Sequence, residues 1–557
     1  MKPTCLKIVW RLWLDKAQTN IVYILLFHSQ KKRKKKKMVV LCNLSATDAA
    51  VIVPAIFFFI FLIKKWKKSK NSIAMKLPPG PKALPIIGNL HQISSPPFRC
   101  FTDLAARYGP IMHLKLGEAP TVVVSSPEIA KEMLKDLDPS FANRPKGVAL
   151  EIMWYGYLDI AFCPYGDYWR QMRKICINEL LSPRMVRSYA SIRRDEAARL
   201  VDSLRESSGR SVNLTEKVFT FSCSITCRAA FGGLCEDKEG LIKVMMETVK
   251  MAGGFEIEDI FPSSRIVRAL SWSKTRLKKM RRRLDVILDD VIDQHEENLA
   301  KMAAPEIQED SGRRSGNGEF GGEDFVDVLL RMKGGEELKI PFGYDSIKAV
   351  LYDIFTAGTE TTAATIDWAM VELMRNPNVM GKAQAELRQV LKGGSCVHED
   401  ELHELKYLKL VVKETFRLHP SVPMLPRASR EVREIKGQYV IPAGVRVMVN
   451  IWAMHRDPSI WKDPERFEPE RFENQTLEFT GSDFQFLPFG SGRRMCPGIM
   501  FGLASVELAL AQLLYHFDWK LPEGVRPQDL DMIENDGLTA SRKDDLFVVA
   551  IPYQPLI

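Results

Sequence analysis

A chain of 557 residues, 46% of them hydrophobic, has globular composition and the length for one large domain or several ordinary ones. Its net charge of +10 sits at the front: residues 1–37 hold eleven Lys or Arg against one Asp, and from Met38 onward 68 basic residues meet 68 acidic ones. That balance argues against a nucleic-acid-binding face, and ten scattered cysteines without a Cys-x-x-Cys pair give no zinc set.

In chain order, residues 1–37 read as a non-native or disordered basic leader ending in Lys31–Lys37, with Met38 as the expected start and a basic sorting tract as the alternative. Residues 38–63 contain the charge-free run Val51–Ile63 and reach bilayer-spanning length, so a single-pass signal anchor is expected. Lys64, Lys65, Lys67, Lys68 and Lys70 follow it and put the downstream chain in the cytosol by the positive-inside rule. The cysteines are then expected to be reduced, mostly buried thiols, and the sequons at Asn213 and Asn474 to stay bare. Residues 64–85 form a basic flank and a stiff hinge, Leu77-Pro-Pro-Gly-Pro81 with Pro85. Ile111–Leu116 and Thr121–Ser125 have strand character and predict a small sheet-containing lobe.

From about Pro164 the pattern turns helical. Trp169 and Arg173 fall at i and i+4 on one face, which by itself reads as a surface helix. Residues 190–302 alternate helices with short breaks, and 303–323 reads as an exposed linker within the domain. Tyr344–Arg375 predicts one long helix stopped by Asn376-Pro377. Its middle, Ala357-Gly-Thr-Glu-Thr-Thr362, is poor helix sequence, and such a conflict marks strain or function. Glu414-x-x-Arg417 is followed by two copies of Pro-Glu-Arg-Phe, at 464–467 and 469–472.

Cys496 lies in Phe489-Gly-Ser-Gly-Arg-Arg-Met-Cys-Pro-Gly498, before an apolar helical run from Ile499 to Phe517. The helix N-terminus and the charges of Arg493 and Arg494 favour a thiolate, and the glycines allow a flat ligand to approach. Phe489, Gly492, Arg494, Cys496 and Gly498 match F-x-x-G-x-R-x-C-x-G, which resembles the haem-ligand loop of the cytochrome P450 superfamily. The resemblance covers about Leu77 to Pro552, and the overall pattern is similar to plant microsomal A-type enzymes, especially terpenoid oxidases.

It implies a mainly α fold with a smaller β-rich lobe (α+β) over residues 86–557, carrying haem b with Cys496 as the axial ligand of its iron. Trp169, Arg173, Arg427 and Arg494 would meet the haem propionates, with Phe489 and Gly498 completing the cofactor loop. The helix would open at Ala357–Thr362, where Glu360 and Thr361 deliver protons to bound dioxygen. Ala357, Gly358, Val422, Leu425 and Leu538 would line the substrate pocket. Glu414, Arg417 and Arg471 would brace the proximal face, Arg471 being chosen because Trp461-Lys-Asp-Pro464 leads into the second Pro-Glu-Arg-Phe copy. The implied partners are NADPH-cytochrome P450 reductase, through which NADPH acts only indirectly, membrane lipid and a hydrophobic small molecule; the implied location is the endoplasmic reticulum membrane. Alkaloid or phenolic and flavonoid hydroxylation stays open. So do a peroxide-rearranging relative, disfavoured by Thr361, and a non-catalytic haem-binding membrane protein.

Overall fold

The computed structural model describes residues 76–253, 256–303, 318, 322–335, 338–391 and 397–554. The expected leader, the anchor, most of the basic flank and most of the 303–323 linker lie outside them.

Nine strands are present: β1 (Ile111–Leu116), β2 (Ala119–Val124), β3 (Ser211–Asn213), β4 (Met424–Ala428), β5 (Arg433–Ile435), β6 (Tyr439–Ile441), β7 (Arg446–Asn450), β8 (Phe517–Lys520) and β9 (Phe547–Pro552) among the described residues. The principal sheet has the order β1-β2-β7-β4, with β2 and β7 parallel and the other pairs antiparallel. Val122, Val123 and Val124 in β2 are all buried, as a central strand covered on both faces requires. The proline hinge lies against β1: His113 N–H donates to Pro79 O at 2.8 Å. A β-carbon at Gly80 would fall 2.0 Å from His113 O, so only glycine permits this approach.

The helical body is built around Tyr344–Arg375, which starts after Gly343 and stops where Pro377 begins the next helix. It packs along Leu214–Phe231 and Ile499–His516. The latter is long and apolar enough to cross a membrane, but it is largely buried within the body, so its apolar character is that of a core helix. The short strand β3, which the sequence pattern did not signal, pairs with β9 and joins the chain's end to the helices. The cysteines of the described region are free thiols, most of them buried.

Candidate active site

The cysteine loop is shaped by backbone turns. Gly490 and Gly492 have φ of +73° and +68°, and a β-carbon on Gly492 would meet Leu134 O at 2.3 Å. Cys496 N–H donates to Phe489 O at 3.0 Å, and Phe489 packs on Phe416 with ring centroids 5.0 Å apart. Cys496 faces an internal cavity lined also by Pro497, Gly498, Phe489 and Arg494. Burial pushes its thiol up, while the Gly498 N–H and the Arg173 guanidinium favour the thiolate. The source of positive charge therefore differs from the expected one. Arg493 turns away to Asp138 at 2.9 Å, and Arg494 is engaged by the carbonyls of Ala142, Ile160 and Cys163. Arg173, whose guanidinium donates to Met495 O, is the cation acting on the sulfur.

One edge of the cavity is crowded with guanidiniums. Arg144, Arg173 and Arg494 line it, and Arg427 is fully buried just behind, reaching Ser491 O at 3.4 Å. Burial and mutual repulsion lower the basicity of this group: Arg427 falls to about 9 with Arg494 as the repelling neighbour, and Arg144 is lowered by both Arg427 and Arg494. Arg427 Nε is buried with no hydrogen-bond partner. Trp169 lies outside the cavity lining; its indole N–H donates to Ile160 O at 3.0 Å, and the Arg494 guanidinium sits 4.4 Å over its ring.

Opposite Cys496 the long helix presents Ala357, Gly358 and Thr361 to the cavity. The expected opening is absent: the helix is continuous from Tyr344 to Arg375. Side-chain hydroxyls satisfy the second lone pairs of its middle carbonyls instead. Thr361 donates to Ala357 O at 2.7 Å, Ser222 to Thr359 O at 2.8 Å and Ser421 to Thr361 O at 3.3 Å. Glu360 is not among the cavity-lining residues and faces the Thr539 hydroxyl and Lys250. Burial pushes its carboxyl up to about 7 against the pull of both partners. Val422, Leu425 and Leu538 supply apolar walls.

Beneath the loop, Glu414 is fully buried and accepts from Arg417 at 2.7 and 2.9 Å, from Arg471 Nε at 2.9 Å and from the Glu468 N–H at 2.8 Å. Arg466, from the first Pro-Glu-Arg-Phe copy, contributes its backbone carbonyl to both Arg417 and Arg471.

Residues 78–547 match the family model described as Cytochrome P450. The chain belongs to the cytochrome P450 family. It is 53% identical over 498 residues, 89% of this chain and 96% of the relative, to a premnaspirodiene oxygenase of Hyoscyamus muticus. It is 51% identical over 500 residues, with the same coverage of both chains, to a 5-epiaristolochene 1,3-dihydroxylase of Nicotiana tabacum. A zebra fish cytochrome P450 structure with progesterone superposes with a TM-score of 0.68 at 25% identity, covering 82% of this chain and 100% of that one.

The chain is thus a P450 monooxygenase with haem as its cofactor, and its residues fit that group. A soft sulfur donor lies on one side of the cavity and small residues on the other. The edge gathers guanidiniums beside the buried Asp159 and Asp353, and it leaves Arg427 Nε without a partner, which the carboxylates of a planar ligand would supply. Arg144 and Asp353, both cavity-lining, escape sequence reasoning. Arg144 stands alone in a loop with no periodic signal, whereas an acid inside the apolar run Ala349–Phe355 is a signal for Asp353.

Proposed function

We propose that the protein is a membrane-anchored monooxygenase of the endoplasmic reticulum that oxidises a terpenoid, with a sesquiterpene hydrocarbon as the first candidate. The carrying observation is the cavity itself, closed by Cys496 on one side, Ala357, Gly358 and Thr361 on the other, and walled by Val422, Leu425 and Leu538. Its apolar walls suit a hydrocarbon that has no polar group for a charged pocket to grip. The names of the relatives support the same class.

In this reading the Cys496 sulfur would hold the haem iron, and haem, when bound, would supply dioxygen activation with electrons from NADPH through a reductase. Arg144, Arg173, Arg427 and Arg494 would hold its carboxylates, while Trp169 fixes Arg494 by stacking. Thr361 donates or holds a proton at Oγ1 beside the reacting centre. Glu360, whose carboxyl burial raises to about 7, resupplies that proton in its acid form after its side chain turns from Thr539. Glu414, Arg417 and Arg471 keep the proximal loop in place.

The test is expression in yeast microsomes with a plant reductase, addition of NADPH with premnaspirodiene or 5-epiaristolochene, and mass-spectrometric analysis of products. A product carrying one added oxygen is expected. Intact haem-thiolate absorption with no terpenoid product, but turnover of a flavonoid or alkaloid, would replace the substrate class.

A further inference from the structure

The segment Asp159–Cys163 forms one wall of the oxidation cavity through Ile160, Ala161 and Phe162. Phe162, Pro426 and Leu538 also line a second cavity, so this wall borders both. Its carbonyls are held by the cationic edge: Ile160 O accepts from Trp169 and Arg494, and Ala161 O accepts from Arg144 Nε at 2.8 Å. Its amides are held by two acids. Asp353 Oδ2, on the long helix, accepts from the Ile160 and Ala161 N–H groups at 3.2 and 3.0 Å. Asp159 Oδ2 accepts from the Phe162 N–H at 2.6 Å.

The two carboxyls are buried and repel one another, so they do not both ionise readily. Their surroundings differ: Asp353 Oδ2 takes the Ile160 and Ala161 amides, while Asp159 takes the Phe162 amide on Oδ2 and leaves Oδ1 buried without a partner. Arg144 and Arg494 face the pair and balance the remaining charge.

We infer that Asp353 is a specificity-determining residue: by gripping two consecutive amides it fixes the cavity wall against which the substrate lies, with Asp159 holding the next amide of the same segment. Asp353 itself lines the cavity, and in this role it is a positioning residue that acts through the Ile160 and Ala161 amides. The inference rests on membership of the family and is independent of the terpenoid assignment.

The experiment uses the haem-loaded full chain and two azole probes, imidazole and 1-phenylimidazole, titrated by difference absorption. Imidazole reads iron access alone; the aryl probe also reads the wall. Asp353→Ala is expected to change the ratio of the two dissociation constants by about tenfold, and Asp353→Asn, which keeps an acceptor oxygen for the amides, to stay within about threefold of wild type. Asp159→Asn, which likewise keeps an acceptor oxygen for the Phe162 amide, is expected to leave the ratio in place. An equal change for both probes, no change in Asp353→Ala, or a shift in either Asn variant as large as that in Asp353→Ala would overturn the inference. If Asp353→Ala fails to retain haem, Asp353→Glu replaces it: the same carboxylate one methylene longer moves the wall and the ratio, and an unmoved ratio refutes the assignment.

Discussion

Glu360 ties stability and turnover to the same proton. Burial raises its carboxyl from an ordinary value of 4.5 to about 7, so the folded protein holds a proton that the unfolded chain releases. Stability therefore falls as pH rises from about 4.5 to about 7 and levels off above, while the acid form needed as a proton donor is lost through the upper end of that window. Product formed per NADPH consumed should decline as pH rises through about 7, and Glu360→Gln should lower it throughout and remove the dependence. The same variant should lose the 4.5-to-7 slope in thermal stability. Thr361→Ala should retain haem binding yet divert electrons to peroxide or water, measured as peroxide per NADPH. For Cys496→Ala, the expected outcome is loss of the thiolate-type absorption of the reduced carbon monoxide complex; retention of that band would remove Cys496 as ligand.

At the scale of elements, the brace under the cysteine loop is a buried charge cluster. Glu414 neutralises two arginines whose other donors end on carbonyls of His455, Pro464, Arg466, Lys462 and Asp463. Glu414→Gln keeps the volume but leaves the fully buried Arg417 without a counter-charge and Arg471 with only the partly exposed Glu468, which should cost about 3–5 kcal/mol. A lowered unfolding temperature and reduced haem content at equal protein yield are the expected readings. The acid–base spacing of this brace was legible because Glu414 and Arg417 share one helix; the carbonyl partners come from distant turns and carry no local pattern. The long helix shows the opposite failure. Its glycine and threonines lower propensity and mark strain or function, and the family resemblance implied an opening, yet the helix stays continuous while Thr361, Ser222 and Ser421 donate hydroxyls to its carbonyls. Local propensity cannot register hydroxyls delivered by a second helix and a following loop.

Across the whole molecule, the cavity joins the sheet lobe, through Leu425 and Pro426 of β4, to the helical body. Motifs within one segment, such as the loop around Cys496, were readable, whereas the guanidinium edge was readable only in part. Its members come from four separate stretches, and Arg144 joins the others only when the chain has folded. That assembly carries a thermodynamic consequence. In the haem-free protein Arg144 and Arg427 are repelled by neighbouring guanidiniums more than Asp138, Asp159 and Asp353 offset, and Arg427 Nε lacks a partner, so the edge costs stability. With the cofactor's carboxylates present, the same groups would make charge-assisted hydrogen bonds and stabilise the loaded protein, if they hold it as proposed. Arg427→Leu should thus act with opposite signs: an unchanged or raised unfolding temperature in the haem-depleted chain, and a lowered one, with faster haem loss to an acceptor protein, in the loaded chain. In wild type, adding hemin back at a hundred times its dissociation constant should return about 2.7 kcal/mol of stability, and less in the variant at the same hemin concentration because its dissociation constant is larger. A variant that loses stability equally in both forms would make Arg427 a packing residue with no part in holding the cofactor.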